Sequence, residues 1–142
     1  MSPRVEAVKR YWETLTPASV ADLRKAYTED ASFRDPFHDV RGAQALQRIF
    51  AHMFETLEAP RFTIVEAIEE GDVAMLVWDF DFRIKRWKPR VARRIHGTSL
   101  LRFAADGRVC AHRDYWDAAG ELYAHLPFIG PLVRALARAM AK

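Results

Sequence analysis

The chain has 142 residues, of which 50% are apolar and 12% aromatic, so it forms one folded domain and is not a disordered segment. No apolar run approaches the roughly 18 residues that a membrane-spanning helix needs, and the N-terminus lacks the apolar segment of a secretory signal. The single cysteine, Cys110, excludes an internal disulfide and a zinc site built on several thiolates. We therefore expect a cytoplasmic protein.

The first half of the chain is predicted to be helical. A stripe of apolar residues at helical spacing marks the first helix: Val5, Val8, Trp12 and Leu15. Ser19 followed by Asp22 resembles a capping box and begins a short second helix that carries Tyr27. After a loop, Gly42 precedes a third amphipathic helix, which Pro60 ends.

The second half is predicted to be strands, separated by turns that contain glycine, proline or charged residues. These strands cover residues 61–68, 73–84, 91–103 and 108–117. Helices followed by a strand meander indicate an α+β fold, with helices on one face of a mostly antiparallel sheet. We assign residues 1–120 to this domain and treat 121–142 as its C-terminal extension, which contains a basic amphipathic helix.

A family resemblance rests on the stretch "YWETLTPASVADLRKAYTEDASFRDPF", in which Tyr11 precedes the Asp35–Pro36 pair by 24 residues. Further matches are Gly42, "LLRF" followed by "DGRV", and the Tyr115–Trp116 pair. From about residue 5 to residue 117, the chain resembles the ketosteroid isomerase and SnoaL-like branch of the nuclear-transport-factor-2-like superfamily. The resemblance implies a conical barrel, in which a curved sheet wraps three N-terminal helices around a cavity, and a homodimer.

The resemblance also implies roles for individual residues. Asp35 matches the general base that moves a proton next to a carbonyl, and Tyr11 matches the tyrosine that donates to the enolate oxygen. Such chemistry needs a partly desolvated carboxylate and preorganised donors. The second oxyanion acid is replaced by Ser99, which disfavours strict steroid Δ-isomerase activity. Of the supporting tyrosines, Tyr27 is retained and another is replaced by Phe50, and both are expected at the pocket.

The later strands add further candidates. Trp116 faces the cavity in the resembling proteins, so strand alternation puts His112 and Asp114 on the same face. On an earlier strand, Val77 and Asp79 are predicted to point inward as well. A His112–Asp114 pair suits proton abstraction, water addition or dehydration, although a register change of one residue would turn both outward.

Simpler interpretations stay open at this stage. Aspartate before proline is a common turn device, so Asp35 could only shape the loop. His38 and Asp39 are expected to be solvated loop residues. The spacing of the histidines does not indicate a metal site, and the resemblance implies no cofactor.

The segment from Arg83 to Arg94 holds seven basic residues and no acidic one, and removing these charges from the net +3 leaves −4. It could be a solvated hairpin tip. With Trp87 and the C-terminal helix it could instead dock on an anionic membrane surface, whereas one tryptophan argues against nucleic acid. The C-terminal helix has an apolar row and a basic row: Leu132, Leu136 and Met140, and Arg134, Arg138 and Lys142. We expect the apolar row to pack on the parent protein, either on the domain or across a dimer, and to close the cavity mouth, because so short a helix is marginal alone.

Two functions follow from these features. The first is cofactor-independent acid–base catalysis of the isomerase, cyclase or dehydratase type, acting on a small hydrophobic carbonyl compound. Here Asp35 is the base, Tyr11 the oxyanion donor, and His112 with Asp114 a second acid–base group. The alternative is a non-catalytic module that binds a small molecule or lipid and is localised by its basic hairpin and tail.

Overall fold

The computed structural model describes residues 1–141. Its helices are α1 (Pro3–Glu13), α2 (Leu23–Ala26), α3 (Ala43–Thr56), α4 (Ala118–Glu121) and α5 (Gly130–Met140). Its strands are β1 (Tyr27–Arg34), β2 (Asp39–Arg41), β3 (Leu57–Glu70), β4 (Val73–Ile84), β5 (Arg93–Phe103) and β6 (Val109–Trp116). Short 3₁₀ turns cover Ser19–Asp22 and Tyr123–His125.

The six strands form one sheet in the order β2-β1-β6-β5-β4-β3. The β1–β6 pair is parallel and the other pairs are antiparallel. The helices α1 and α3 pack on one face of the sheet, mainly against β3 and β1. The predicted α+β fold, with N-terminal helices held in a mostly antiparallel sheet, is confirmed.

The predicted apolar stripe of α1 is buried against the sheet. Val5, Val8 and Trp12 are nearly inaccessible to solvent, and the Trp12 ring packs against Phe50 at 4.7 Å and Phe62 at 5.7 Å between ring centroids. The side chain of Ser2 caps the helix by accepting from the amide of Val5. The stripe therefore joins α1, α3 and β3 in one core.

Two strands were not predicted. Residues 27–34 form β1, where we expected the end of a helix and a loop, and β2 follows it. Only Tyr27, Ala31 and Phe33 are buried apolar residues in β1, so its alternation is weak. Its partner β6 lies about 80 residues away along the chain (Ser32 pairs with Ala111), and such a distant pairing leaves no local signal in the sequence.

The end of α3 also differs from the prediction. The helix ends at Thr56 and Leu57 already begins β3, so Pro60 lies within a strand. The register with β4 shifts between Glu58 and Arg61, and Ala59 has a φ of 51°. Such a bulge tolerates a proline, because the missing backbone N–H interrupts no regular ladder there.

The C-terminal extension contradicts one part of an expectation, that its apolar row packs on the domain. The apolar row of α5, formed by Leu132, Leu136 and Met140, is exposed and does not pack on the domain. The 3₁₀ turn at Tyr123–His125 and α4 support α5 from its other side. Lys142, the last member of the expected basic row, lies outside the described residues. Among residues 1–141, no helix has the length and apolarity required to cross a membrane.

Candidate functional site

A cavity of about 350 Å³ opens between α3 and the inner face of the sheet. A smaller compartment of about 30 Å³ continues it inward and shares Phe50, Phe62, Trp78 and Asp114 with it. The lining is mostly apolar and rich in aromatic rings, and its polar members are few. In the larger space they are Asp35, His38, His52, Thr56 and Asp114, and the smaller one adds Ser99 and His112. This is the form expected of a small-molecule site.

A buried hydrogen-bond network lies at the inner end of the cavity. Trp12 Nε1 donates to the hydroxyl of Tyr27 at 3.0 Å, and that hydroxyl lies 2.6 Å from Nδ1 of His112. Burial raises the pKa of Tyr27 well above its usual value of 10, and the charge of Asp114 raises it further. Tyr27 therefore keeps its proton. Because an indole N–H can only donate, the Tyr27 O–H donates to Nδ1, and His112 carries its proton on Nε2.

The network continues from His112 to the carboxylate of Asp114. The Nε2–H of His112 donates to Oδ1 of Asp114 over 2.6 Å, and Ser99 Oγ donates to the same oxygen. Trp78 Nε1 in turn donates to Ser99 Oγ at 2.8 Å, which fixes the direction of the Ser99 hydrogen. Oδ2 of Asp114 receives no hydrogen bond from residues 1–141, and the side chain is 16% exposed at the cavity wall. One carboxylate oxygen is thus held, and the other has no protein partner in a side chain that lines the cavity.

The Asp35 carboxylate lies at the mouth of the same cavity, in the loop between β1 and β2. Its Oδ1 accepts from the amides of Phe37 at 2.8 Å and His38 at 2.7 Å. The same oxygen lies 2.9 Å from Nδ1 of His38. Asp35 therefore shapes its own turn, as the simpler interpretation predicted, and also lines the cavity.

His38 lies in the loop with its side chain 39% exposed, as expected, and it lines the cavity as well. Its Nδ1 faces the carboxylate of Asp35, which only accepts hydrogen bonds when ionised. The Nδ1–H tautomer is thereby selected, and Nε2 is left for another partner. Asp39 is exposed, as expected.

The structure places Tyr11 outside the cavity. Its hydroxyl donates to the backbone carbonyl of Ser19 at 2.9 Å, and its ring borders a separate surface depression beside Arg4. Burial, together with the charge of Asp22, raises the pKa of Tyr11 to about 12. The neighbouring Trp12 reaches the inner end of the cavity instead. The geometry does not support the expected oxyanion role of Tyr11.

The inward residues of β4 also differ from those expected. Trp78 lines the cavity, whereas Val77 and Asp79 point to the outer face, where Asp79 meets His96 Nδ1 at 2.7 Å. The reason is the pairing of Trp78 with Gly97, because directly paired residues of neighbouring strands share a face. The one-residue error in β4 turned both candidates outward.

The remaining candidates lie at or next to the cavity. Phe50 and Trp116 line it, Ser99 and His112 line its inner compartment, and Tyr27 lies behind them. No group of three or more histidine, cysteine or acidic side chains in residues 1–141 is arranged to hold a metal ion. Sequence reasoning missed Trp12, Trp78 and His38 as site residues, although the apolar stripe of α1 already marked Trp12 as inward-facing.

Comparison with protein-family models gives a match over residues 8–112, to the model described as "SnoaL-like domain". A search of curated proteins finds no match.

Solved structures share the fold at low sequence identity. One is a hypothetical protein with a ketosteroid isomerase-like fold from Catenulispora acidiphila, in complex with trimethylamine (19% identity, TM-score 0.71, covering 86% of this chain and 92% of that one). Another is a putative SnoaL-like polyketide cyclase from Jannaschia sp. CCS1 (19% identity, TM-score 0.70, covering 84% of this chain and 92% of that one). A third is an epoxide hydrolase from M. tuberculosis described as LEH-like (16% identity, TM-score 0.65, covering 98% of this chain and 94% of that one).

Proposed function

Because the chain belongs to the SnoaL-like domain family, we propose that it catalyses cofactor-independent proton transfer on a small, neutral, apolar carbonyl compound. The observation that carries this proposal is the Asp114 carboxylate. Its Oδ1 is held by His112 and Ser99, its Oδ2 has no hydrogen-bond partner within residues 1–141, and its side chain lines an apolar cavity. Neighbours of the same fold include proteins described as a polyketide cyclase and as an epoxide hydrolase, so the fold alone does not select the reaction.

Asp114 acts as the base in this proposal. Its Oδ2 takes a proton from the carbon next to the carbonyl, and the electron pair of that C–H bond moves through the new C=C bond to the carbonyl oxygen. Return of the proton to another carbon of the enolate completes an isomerisation. Attack of the enolate carbon on a second carbonyl, whose oxygen then takes the proton from Asp114, completes a cyclisation. Loss of a β-hydroxyl group, which takes that proton and leaves as water while the enolate collapses to an enone, completes a dehydration.

Asp35 and His38 supply the opposite side of the reaction. The carboxylate of Asp35 orients His38 through Nδ1, so that Nε2 can donate a proton or a hydrogen bond to the developing enolate oxygen. Nε2 donates in this way while the imidazole carries both protons, because in the neutral Nδ1–H tautomer it is an acceptor. This role replaces the one expected of Tyr11. Oδ1 of Asp35 already accepts from two amides and faces the imidazole of His38, so we assign Asp35 the orienting role and Asp114 the role of the base.

The lining indicates the class of substrate. Aromatic and aliphatic side chains form most of the wall, two carboxylates face the space, and no lysine or arginine lies among the lining residues. An anionic substrate would meet negative charge without a cationic partner, which costs several kcal/mol in a poorly solvated site. We therefore propose a neutral substrate, small enough for a space of about 350 Å³.

A second candidate is a non-catalytic module that binds an apolar small molecule or lipid in the same cavity. The aromatic lining and the exposed apolar row of α5 favour it. The two functions differ in one respect, since binding alone does not require a carboxylate oxygen that accepts a proton. A protein that binds neutral ketones but never exchanges their α-protons has this second function.

The experiment that tests catalysis needs no knowledge of the product. Neutral cyclic and aromatic ketones are incubated with the protein in D₂O, and exchange of the α-protons for deuterium is followed by NMR. We expect exchange with at least one ketone, and a loss on the order of 10²- to 10⁴-fold in Asp114→Asn, the usual contribution of a general base. Asparagine keeps an acceptor for His112 and Ser99, so the network survives while the base is removed. Exchange that is equal in both proteins would contradict the proposal.

A further inference from the structure

Two segments flank the mouth of the cavity. The first is the basic tip, residues 85–92, which joins the end of β4 to the start of β5; Ile84 and Ile95, on either side of it, both line the cavity. The second is the C-terminal extension, which begins after Trp116 and contributes Leu122 to the lining. Tyr123 of this extension packs against Phe37 in the mouth loop, with ring centroids 6.2 Å apart. Both segments therefore lie at the open end of the cavity.

The basic tip presents cations that its own chain leaves without acidic partners. Arg86, Lys88 and Arg90 are exposed, and none of them forms an ion pair with a residue in the part of the chain that the structure describes. Trp87 lies among them, stacked under the guanidinium of Arg93 at 4.3 Å. Arg94, which lies beyond the tip in β5, has an acidic partner: its guanidinium donates two hydrogen bonds to Asp81.

The helix α5, which belongs to the second of these segments, presents an apolar row to solvent. The exposed fractions are 71% for Leu132, 62% for Leu136 and 78% for Met140, and Phe128, just before the helix, is 93% exposed. The helix contains Arg134 and Arg138 but no acidic residue. Arg134 donates to the carbonyl of Ala124 and so ties α5 to the preceding turn.

An apolar row of this extent needs a partner. A helix of 11 residues is marginal in water by itself, and this one gains nothing from the parent core along its apolar row. The two arginines of α5 and the three free cations of the tip demand a partner that is negatively charged. A second copy of the chain would bring the same cations to the contact and would repel them.

We propose that α5, Phe128 and the basic tip form one docking surface for a lipid bilayer that contains anionic phospholipids. The apolar row of α5 enters the headgroup–acyl boundary, as in other short amphipathic helices. The tip cations and the α5 arginines meet the lipid phosphates, with Trp87 at the interface. The cavity mouth then opens toward the bilayer. If the proposed function holds, an apolar substrate reaches Asp114 from the lipid phase.

Vesicle flotation of the full chain tests this surface. We expect binding to phosphatidylcholine vesicles with 30 mol% phosphatidylserine, as an anionic probe of roughly physiological strength, and much weaker binding to pure phosphatidylcholine. Each cation near such a surface contributes roughly fivefold to the binding constant. Replacing Arg86, Lys88 and Arg90 together by alanine should then weaken binding on the order of 100-fold. Leu132→Glu with Leu136→Glu should abolish it, without lowering the midpoint of thermal unfolding, because both side chains are exposed.

A matched variant separates this surface from bulk charge. Arg10, Lys25 and Arg102 are exposed and lie on α1, on α2 and at the far end of β5. Their joint replacement by alanine removes the same charge and should change binding less than threefold. An equal loss in this variant would overturn the proposal, and so would equal binding to neutral and anionic vesicles. The proposal also fails if the α5 double variant keeps vesicle binding but converts a dimer to a monomer in light scattering, since the partner is then a second copy.

Discussion

Two carboxylates face the same cavity, and the protein holds them in different ways. Asp114 is positioned by partners from distant parts of the chain, through His112 and Ser99 and, behind them, Tyr27 and Trp78. Asp35 is positioned by the two residues that follow its proline. The first arrangement exists only in the complete fold, whereas the second is a local turn.

The difference bears on chemistry. Within residues 1–141, both hydrogen bonds to Asp114 fall on Oδ1, so Oδ2 is left without a protein partner. Oδ1 of Asp35 is occupied by two amides and the imidazole of His38, which suits an orienting group better than a base. A preorganised site is expected to draw its reactive atom from the more rigid arrangement. Changes in the network should therefore affect Asp114 and leave the Asp35 turn intact.

The largest effect on stability is expected from Tyr27→Phe. The change leaves Trp12 Nε1 and His112 Nδ1 buried without their present partner, at about 1–3 kcal/mol each. Urea unfolding measures the loss. Tyr11→Phe is the matched control, because it removes only a half-buried bond to the Ser19 carbonyl and should cost about 1 kcal/mol or less. Equal losses in the two variants would show that the network does not stabilise the fold as described.

Gly97→Ala is expected to have the next largest effect. A Cβ at this position would lie 2.7 Å from the Trp78 ring and 2.9 Å from Cβ of Trp116. The Trp78 indole must shift, which disturbs its bond to Ser99 and costs about 1–3 kcal/mol. Thr98→Ala, on the opposite face of the same strand, should change the free energy of unfolding by less than about 0.5 kcal/mol. Full stability of Gly97→Ala would contradict the packing at this end of the network.

Alkaline pH provides a smaller, graded test. Burial raises the pKa of Tyr27 well above 10 and that of Tyr11 to about 12. Below pH 10 both tyrosines are protonated in the folded and unfolded states alike, so they add no pH dependence. Above pH 10 the unfolded chain ionises first and binds fewer protons, so stability falls as the pH rises, by at most about 1.4 kcal/mol per pH unit for each group. Urea unfolding between pH 9 and 11 gives the free energy of unfolding of wild type and of Tyr27→Phe. The difference between the two free energies should fall with this slope above pH 10. A difference that stays constant over the whole pH range would contradict the prediction.

The smallest effect is expected at the Asp35 turn. Asp35→Asn keeps an acceptor for the amides of Phe37 and His38, so its stability should stay within about 0.5 kcal/mol of wild type. Asp35→Ala removes the acceptor and should cost about 1 kcal/mol. Urea unfolding distinguishes the two. A loss of several kcal/mol in Asp35→Asn would mean that this carboxylate supports more than its own loop.

The sequence predicted the α+β fold because the α1 stripe and the four long strands carry their own periodicity. It also put His112, Asp114 and Trp116 on one strand face, where the structure has them facing the cavity. It missed β1, whose alternation is weak and whose partner β6 is distant in the chain. That pairing brings Tyr27 next to His112, and no local pattern indicates it.

Two errors have a common cause. The fixed spacing from Tyr11 to Asp35 suggested Tyr11 as the oxyanion donor, yet the apolar stripe of α1 already contained Trp12, and burial follows the stripe. In β4, alternation was applied with the wrong starting residue, so Asp79 was predicted inward in place of Trp78. Alternation determines which residues share a face, but pairing with a neighbouring strand decides which face is inward.

The central claim is that Asp114, rather than Asp35, accepts the proton. The most direct measurement compares α-proton exchange into D₂O for Asp114→Asn and Asp35→Asn, using the ketone that wild type exchanges fastest. Asp35→Asn should retain about a tenth of the wild-type rate, since it loses the orientation of His38 but not the base, while Asp114→Asn should fall on the order of 10²- to 10⁴-fold. The reverse order, with Asp35→Asn inactive and Asp114→Asn nearly unaffected, would contradict the account and assign the base to Asp35.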